Sequence, residues 1–191
     1  AKEDFEDTKN SNLRVRGNLF TELELMKVLK YRFNLGFDFS NDSHSYLRKE
    51  GYWTYNQPFD PSSLNKNQAQ YQGLVFDNTL EYNQTFGLHN ISSVVGLSYQ
   101  TSNYEQIWGT KNDVLMKGND YFTNLDAALT NPKTGNYTDL EKLYSIFGRV
   151  NYNYDERYLF SATLRRDESS KFSPDTRVGY FPSVSAGWRI S

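Results

Sequence analysis

The two histidines, His44 and His89, are the first side chains to test for chemistry, because imidazole serves both as a catalytic base and as a metal ligand. They lie far apart in the sequence, and no Ser–His–Asp arrangement, pair of carboxylates or glycine-rich phosphate loop accompanies either of them. The chain contains no Cys, which removes thiolate nucleophiles and thiolate metal sites. The sequence therefore predicts no catalytic residue, no metal site and no cofactor, and it indicates that the protein is not an enzyme.

Three oxygen-bearing residues, Asp38, Asn41 and Asp42, lie close enough in sequence to be considered as calcium ligands. Their spacing differs from that of an EF-hand loop. Asn and Asp are also the residues that polar turns prefer. The favoured interpretation is therefore a strand that runs into a polar turn, with calcium binding as the alternative.

Aromatic residues concentrate in two long polar stretches of the sequence. The candidates for binding are Tyr52, Trp53, Tyr55, Tyr104, Trp108 and Tyr121. Exposed rings stack on sugars and anchor protein partners, so these residues are candidate contacts for a substrate or for a protein that covers it. The alternative is that the rings pack the loops against each other, and this alternative is favoured because long loops need a core of their own.

The elements that position these residues are indicated by a two-residue periodicity. In residues 30–40, for example, Tyr31, Phe33 and Leu35 alternate with polar and charged side chains. The alternation recurs in seven segments: 13–25, 30–40, 74–84, 91–100, 144–154, 157–166 and 180–190. Segments of about 10 to 13 residues are longer than most strands of soluble proteins. At about 3.3 Å per residue and a tilt of about 45°, they match the ~25 Å apolar band of an outer-membrane barrel.

The connections between the seven segments alternate in length. Short connections occur at 26–29, 85–89 and 155–156, and long ones at about 41–70, 101–142 and 168–179. Outer-membrane barrels have tight turns on the periplasmic side and long loops on the extracellular side. The sequence therefore predicts an all-β fold, an antiparallel up-and-down meander of about seven long strands, with the three long connections as extracellular loops.

Composition excludes several other classes of protein. Aromatic residues make up 16% of the chain although only 37% of it is apolar, a combination that disorder does not explain. The net charge is −2 and no basic block is present, which argues against nucleic-acid binding. No stretch approaches the length of an apolar membrane helix. The first residues lack the apolar core of a signal peptide, so we expect any export signal to lie upstream.

Three stretches resemble a known family. They are FGRVNYNYDERYL at 147–159, GYFPSVSAGWRIS at 179–191 and FDNTLEYNQTFGLHNISSVVGLSYQ at 76–100. All three resemble the barrel of the SusC/RagA-type TonB-dependent outer-membrane transporters of Bacteroidetes, and the strand–turn–strand at 13–40 resembles it as well. The long connections match no motif of that family.

The resemblance implies a barrel of about 22 strands that encloses a plug. Such transporters import oligosaccharides or peptides across the Gram-negative outer membrane, draw energy from the TonB complex, and pair with a SusD-like surface lipoprotein. Residues 1–191 would then be an internal piece of the barrel wall in contact with membrane lipid, with no plug domain and no TonB box. We expect such a piece not to transport on its own and, when excised, to self-associate. The runner-up is a soluble β-rich carbohydrate-binding module.

Overall fold

A computed structural model describes residues 5–51 and 60–190. Within these two ranges, nine strands follow one another: β1 (Glu6–Met26), β2 (Leu29–Arg48), β3 (Ser63–Phe86), β4 (His89–Val114), β5 (Met116–Lys117), β6 (Asp120–Tyr121), β7 (Ala128–Tyr154), β8 (Tyr158–Ser169) and β9 (Val178–Trp188). The helical element of the described residues is a 3-10 turn at Leu125–Ala127. No helix in this part of the chain is both long and apolar enough to cross a membrane.

Seven of the strands form one sheet in the order β1-β2-β3-β4-β7-β8-β9. Each strand pairs with its neighbour in the chain, except that the small antiparallel hairpin β5–β6 is inserted between β4 and β7. This order is an antiparallel up-and-down meander, because successive strands joined by turns run in opposite directions. The predicted fold class of about seven long strands is confirmed.

The strand lengths correct the expected loop bounds. The strands β1 to β4 and β7 contain 21, 20, 24, 26 and 27 residues, about twice the expected length. Most of the stretches 41–70 and 101–142 therefore lies in strands, and assigning them wholly to loops was wrong. The cause is that neither face of these outer strand portions is consistently apolar, so hydropathy loses its period while the backbone hydrogen-bond ladder continues.

The chain divides into two compact units, described here one at a time. Unit 1 comprises residues 1–15, 39–72 and 103–139, and unit 2 comprises 16–38, 73–102 and 140–191. Unit 2 contains the short turns between strands. Gly87 has a φ of 59°, and Asp155 and Glu156 both have a φ of 51°, the left-handed conformation that two-residue hairpin turns require.

In unit 2, the register of β7, β8 and β9 places apolar side chains in rows across one face. Val150 pairs with Ala162, which pairs with Val184, and the next row joins Gly148, Leu164 and Pro182. Two side chains of these rows are well exposed, Val184 at 75% and Leu164 at 55%. An apolar face exposed to this extent is a surface that needs a non-aqueous neighbour.

Aromatic rings border this apolar face at the end that carries the short turns. The His89 ring lies 4.8 Å from Tyr154, Tyr154 lies 6.2 Å from Tyr158, and Tyr158 stacks on Trp188 at 6.4 Å with an interplanar angle of 2°. Aromatic rings in this position are typical of the boundary between lipid and water. From Tyr158 to Glu168, at ~3.3 Å per residue and a tilt of about 45°, β8 rises about 23 Å.

A polar residue on the apolar face of β3 is satisfied locally. Asn78 interrupts an otherwise apolar side, and its carboxamide oxygen accepts a hydrogen bond from the Tyr31 hydroxyl on β2. Beside this pair, Phe33 meets Phe76 edge to face, with ring centroids 5.1 Å apart. The cross-strand partner therefore removes the cost of an isolated amide on this face.

Unit 1 has a small hydrophobic core of its own. It consists of Leu47, Leu64, Val114 and Ala128, with Tyr121 and Leu125 packed against it. The connection between β4 and β7 therefore covers the ends of β2 and β3 and buries their leucines. This packing holds the hairpin β5–β6 and the 3-10 turn against the sheet.

A fully buried serine fixes the point where β4 leaves the sheet. Ser62 accepts two backbone hydrogen bonds, one at its carbonyl from the Asp113 N–H and one at its Oγ from the Val114 N–H, both at 2.9 Å. Asp113 has a φ of 55°, and its carboxylate accepts a hydrogen bond from the Thr130 hydroxyl. The left-handed backbone of Asp113 is thus held from both sides.

Ser62→Ala should destabilise unit 1 by about 1 to 3 kcal/mol, because the buried Val114 N–H loses its acceptor. The expected result is faster hydrogen exchange at Val114 and Leu115 than in the unsubstituted protein. Ser63→Ala is the matched control, since Ser63 is only partly buried. Equal exchange rates in both variants would contradict the assigned role of Ser62.

Candidate functional site

The polar face of unit 2 carries ion pairs that cross from strand to strand. On β2, the Arg32 guanidinium contacts Glu22 on β1 at 2.6 Å and Glu81 on β3 at 2.5 Å. Lys30 contacts Glu24 at 2.9 Å. One arginine therefore joins three strands. Such a network stabilises the arrangement of the strands more than a single exposed ion pair does.

The same face continues with a second set of contacts. Arg16 on β1 contacts Asp38 on β2 at 2.7 Å. The amide of Asn34 and the hydroxyl of Ser98 both donate to Asp77, at 3.2 and 2.5 Å. Polar side chains from four adjacent strands thus satisfy one another on this surface, as the alternation in the sequence predicted for one side of each strand.

On β7, β8 and β9, the polar face of unit 2 is mostly uncharged. Its rows follow from the register: Arg149 pairs with Thr163, which pairs with Ser183, and the next row joins Asn151, Ser161 and Ser185. The Arg149 Nε donates to the Thr163 Oγ1 at 3.1 Å, and Ser161 donates to Asn151 at 2.8 Å. Hydroxyls and carboxamides dominate this part of the wall.

A cleft of about 330 Å³ opens beside these rows. The side chains on its polar side come from Asn90, Asn151, Asn153, Ser161 and Ser185. The Asn153 Oδ1 is buried and has no hydrogen-bond partner. A buried, unpartnered carbonyl oxygen beside neutral donors and acceptors can accept a hydrogen bond from a polar ligand.

Three of the six candidate aromatic residues lie among the described residues of unit 1. Tyr104 lies 6.1 Å from the Tyr137 ring, and the Trp108 indole covers Gly135, where an added Cβ would lie 2.7 Å from the indole nitrogen. Trp108 remains 38% exposed. Tyr52, Trp53 and Tyr55 lie outside the described residues.

Tyr121 is more enclosed than the other two candidates, because it packs against the core of unit 1. Burial raises the pKa of the Tyr121 phenol above its ordinary value, and the nearby Glu50 carboxylate raises it further. The phenol is therefore held in its neutral form. Its position favours a packing role, whereas Trp108 keeps a surface that a ligand can reach.

Trp108 also lines a cavity of about 360 Å³ in unit 1. Half of its other lining residues bear a hydroxyl or an amide, and the rest are basic, apolar or glycine: Ser43, His44, Ser45, Lys66, Asn67, Gln68, Ile107, Gly109, Leu125 and Thr134. A lining of this composition can hydrogen-bond to sugars or peptides and can pack against their apolar surfaces.

The two histidines and the calcium candidates Asn41 and Asp42 take part in cross-strand hydrogen bonds. His44 bonds to Asn10 at 2.5 Å, and His89 bonds to the Tyr152 hydroxyl at 2.7 Å. Asp42 accepts from Asn12, and Asn41 accepts from Gln68 at 3.3 Å. Among residues 5–51 and 60–190, no group of three or more His, Cys, Asp or Glu side chains converges to hold a metal ion.

Several contacts were not foreseen from the sequence. They are the hydrogen bond from the Val114 N–H to the Ser62 Oγ, the hydrogen bond from Arg149 to Thr163, and the aromatic rings that cover Gly96 and Gly135. Each depends on strand register, which periodicity does not supply. The available signal was a glycine on the polar side of a strand, which often marks a close approach of a neighbouring ring.

The sheet has one apolar face bounded by aromatic rings and an opposite face with polar side chains and ion pairs. Walls of outer-membrane barrels are built in this way. The family model "TonB dependent receptor-like, beta-barrel" matches residues 3–191. The chain belongs to this family, and the resemblance to SusC/RagA-type receptors is confirmed.

Curated relatives agree with this assignment. The chain is 36% identical over 115 residues to TonB-dependent receptor P3 of Formosa agariphila, covering 60% of this chain and 11% of the relative. It is 28% identical over 190 residues to receptor P39 of the same organism, covering 95% of this chain and 18% of the relative. Over 54 residues it is 52% identical to TonB-dependent receptor SusC of Bacteroides thetaiotaomicron, covering 28% of this chain and 5% of the relative. The chain thus spans less than a fifth of the length of each.

Solved structures share the fold. The structure of the RagAB peptide transporter superimposes with a TM-score of 0.77 at 20% identity, covering 96% of this chain and 20% of that chain. The RagAB peptide importer in its open-open state gives a TM-score of 0.78 at 22% identity, with the same coverage of both chains. These matches establish the architecture of the strands.

Proposed function

We propose that this chain forms part of the barrel wall of a TonB-dependent nutrient importer in the outer membrane of a Gram-negative, Bacteroidetes-like bacterium. The observation that carries the proposal is the two-faced sheet of unit 2. One face presents exposed aliphatic rows bordered by His89, Tyr154, Tyr158 and Trp188, which suits lipid. The other presents hydrogen-bonded polar side chains, which suits a hydrated interior.

A soluble carbohydrate-binding module is the less favoured alternative. Val184, Leu164 and Val95 are 75%, 55% and 59% exposed, and exposing apolar surface to water costs about 25 cal/mol per Å². A soluble module would bury or replace such rows. Membrane lipid is therefore the partner that this face fits best.

The whole importer would need parts that lie outside this chain. We assign the plug and the contact with the TonB complex to those parts, and a SusD-like lipoprotein to the extracellular side. The substrate would be an oligosaccharide or a peptide, and a peptide is what the name of the RagAB peptide transporter gives for that protein. The chain alone would not transport, and once excised it would self-associate through the outer edges of β1 and β9.

The contact with substrate or lipoprotein would involve the six aromatic residues that the sequence indicated. These are Tyr52, Trp53, Tyr55, Tyr104, Trp108 and Tyr121. Trp108 has the best support, because its indole lines a cavity that contains hydroxyl and amide groups and stays 38% exposed. We place the long connections on the extracellular side.

The lipid-facing assignment can be tested with a pair of neighbouring cysteine substitutions, since the chain has no Cys of its own. In the complete receptor in its membrane, Val184→Cys should resist a charged, water-soluble maleimide, whereas Ser183→Cys should react. Side chains of adjacent residues in a strand point to opposite faces, which makes each variant the control for the other. Rapid labelling at position 184 and protection at position 183 would reverse the assignment of faces.

The transport function can be tested by deleting the gene that encodes the chain. We expect loss of growth on one class of oligosaccharide or peptide while growth on monosaccharides and amino acids is unchanged. Complementation with the whole gene should restore growth. Unchanged growth of the deletion strain on every oligosaccharide and peptide supplied as sole nutrient would overturn the importer proposal.

A further inference from the structure

Arg149 occupies an unusual position on the polar face of unit 2. It lies in the last third of β7, where it pairs with Thr163 on β8, and its side chain is exposed. Its Nε donates to the Thr163 Oγ1 at 3.1 Å. This bond orients the guanidinium and leaves both terminal nitrogens, Nη1 and Nη2, directed away from it as a fork.

Arg149 differs from the other arginines of the same unit in its partners. Each of those that the structure describes has a carboxylate within ion-pair distance: Arg16, Arg32, Arg157, Arg165, Arg166, Arg177 and Arg189. Within the described part of the chain, Arg149 has no such carboxylate. A guanidinium that is oriented by a neutral hydroxyl can still form an ion pair with the carboxylate of a bound ligand.

On one side of Arg149, the adjoining row of the polar face holds Phe147, Arg165 and Phe181, with Arg165 paired to Asp167 at 2.7 Å. On its other side the face is neutral and rich in hydrogen-bonding groups. The next row of the same face contains Asn151, Ser161 and Ser185. These residues border the cleft of about 330 Å³, in which the buried Asn153 Oδ1 lacks a partner. The Arg149 guanidinium and the cleft therefore lie next to each other. The guanidinium can bind a carboxylate, and the polar side chains of the cleft can bind hydroxyl or amide groups.

We propose that Arg149 and this cleft form a binding site for a carboxylate-bearing ligand, an acidic oligosaccharide or an acidic peptide. The carboxylate would accept two hydrogen bonds from the Arg149 fork, and neutral donors of the ligand would reach the Asn153 carbonyl oxygen. The inference rests on the proposed function, because the ligand would be the substrate that passes the wall. It adds that the substrate carries negative charge.

The test is protection of Arg149 from phenylglyoxal, which modifies accessible guanidinium groups, in the complete receptor purified in detergent. Modification at each arginine is followed by mass spectrometry. The probes are a glutamate-containing tripeptide and a glucuronate-containing trisaccharide, each with its neutral glutamine or glucose counterpart. We expect at least one acidic probe to slow modification of Arg149 about tenfold while Arg157, paired with Asp155 at a turn, is unaffected. The two acidic probes distinguish a peptide from a saccharide as the source of the carboxylate.

Substitutions supply the second readout. Arg149→Gln should weaken binding of the protecting acidic probe about tenfold and leave binding of its neutral counterpart unchanged, and Arg149→Lys should restore part of the affinity. Arg157→Gln is the matched control and should bind like the unsubstituted receptor. A lack of modification of Arg149 without any probe would show that another part of the protein covers it and would overturn the inference, as would equal protection by acidic and neutral probes.

The outcome is separable from that of the importer proposal. If the deletion strain grows normally but an acidic probe protects Arg149, the site stands and the importer proposal fails. If deletion abolishes growth on a nutrient but neither acidic probe protects Arg149, the importer proposal stands and the carboxylate site is refuted.

Discussion

Val95→Arg is expected to destabilise the membrane-inserted barrel by about 2 to 4 kcal/mol, whereas Val94→Arg should change its stability far less. Val95 is 59% exposed on the aliphatic face of β4, where an arginine would have to leave water for hydrocarbon. Val94 has the parity of Gly96 and Ser98, which lie under Phe147 and beside Asp77 on the polar face. An arginine there keeps its hydration.

The two valines make a strict comparison, because the residue type, the substitution and the strand are the same. The measurement is urea-induced unfolding of the complete receptor from phospholipid vesicles, followed by tryptophan fluorescence. The difference in free energy of unfolding between the variants then reports only which face the side chain occupies. Equal losses of stability at both positions would refute the assignment of β4 to a bilayer.

The middle of each strand could be predicted from the sequence because lipid and water impose opposite demands on adjacent residues. In β8, Phe160 and Leu164 alternate with Ser161 and Arg165, and the structure places these two sets on opposite sides of the sheet. The alternation fixes the face of each residue without any knowledge of its partners. For that reason the number and order of the seven long strands were predicted correctly.

The outer portions of the strands could not be predicted in this way. Along β3, the side that carries Leu74 and Phe76 continues with Gln72, Gln70 and Gln68, so its apolar residues stop there. Backbone pairing continues there nonetheless, and β3 begins only at Ser63. Strand propagation depends on main-chain hydrogen bonds and cross-strand partners, which hydropathy does not record.

The candidate site was predictable in composition but not in arrangement. Tyr104, Trp108 and Tyr121 were chosen for their ring chemistry, yet only the fold separates the enclosed Tyr121 from the accessible Trp108. Arg149 was recognisable as a polar-face residue from its parity. That it bonds to Thr163 while other arginines of unit 2 meet carboxylates depends on the register of β7 and β8.

Gly96 is the second position at which a small change should have a large effect. It is buried beneath the Phe147 ring on the neighbouring β7, and a Cβ built at position 96 would overlap the edge of that ring. Gly96→Ala should therefore destabilise the barrel by about 1 to 3 kcal/mol, the usual cost of overpacking. The loss occurs although alanine is intrinsically better than glycine inside a strand.

Gly148→Ala is the matched control for Gly96→Ala. An added Cβ at position 148 would meet only the Val94 carbonyl oxygen, at 3.9 Å, which is an ordinary contact. With no clash to offset it, the reduced freedom of the unfolded chain should stabilise the barrel by about 0.5 to 1 kcal/mol. The same substitution on neighbouring strands should thus have opposite signs.

A double-mutant cycle separates the ring contact from other causes. In a Phe147→Ala background the ring is gone, so Gly96→Ala should cost little or even stabilise, and the coupling energy should approach the whole cost of the single substitution. The same unfolding measurement in vesicles gives all four corners of the cycle. A coupling energy near zero would mean that Gly96 is required for its backbone conformation and not for the space that it leaves to the Phe147 ring. The proposed role of Gly96 beneath that ring would then be wrong.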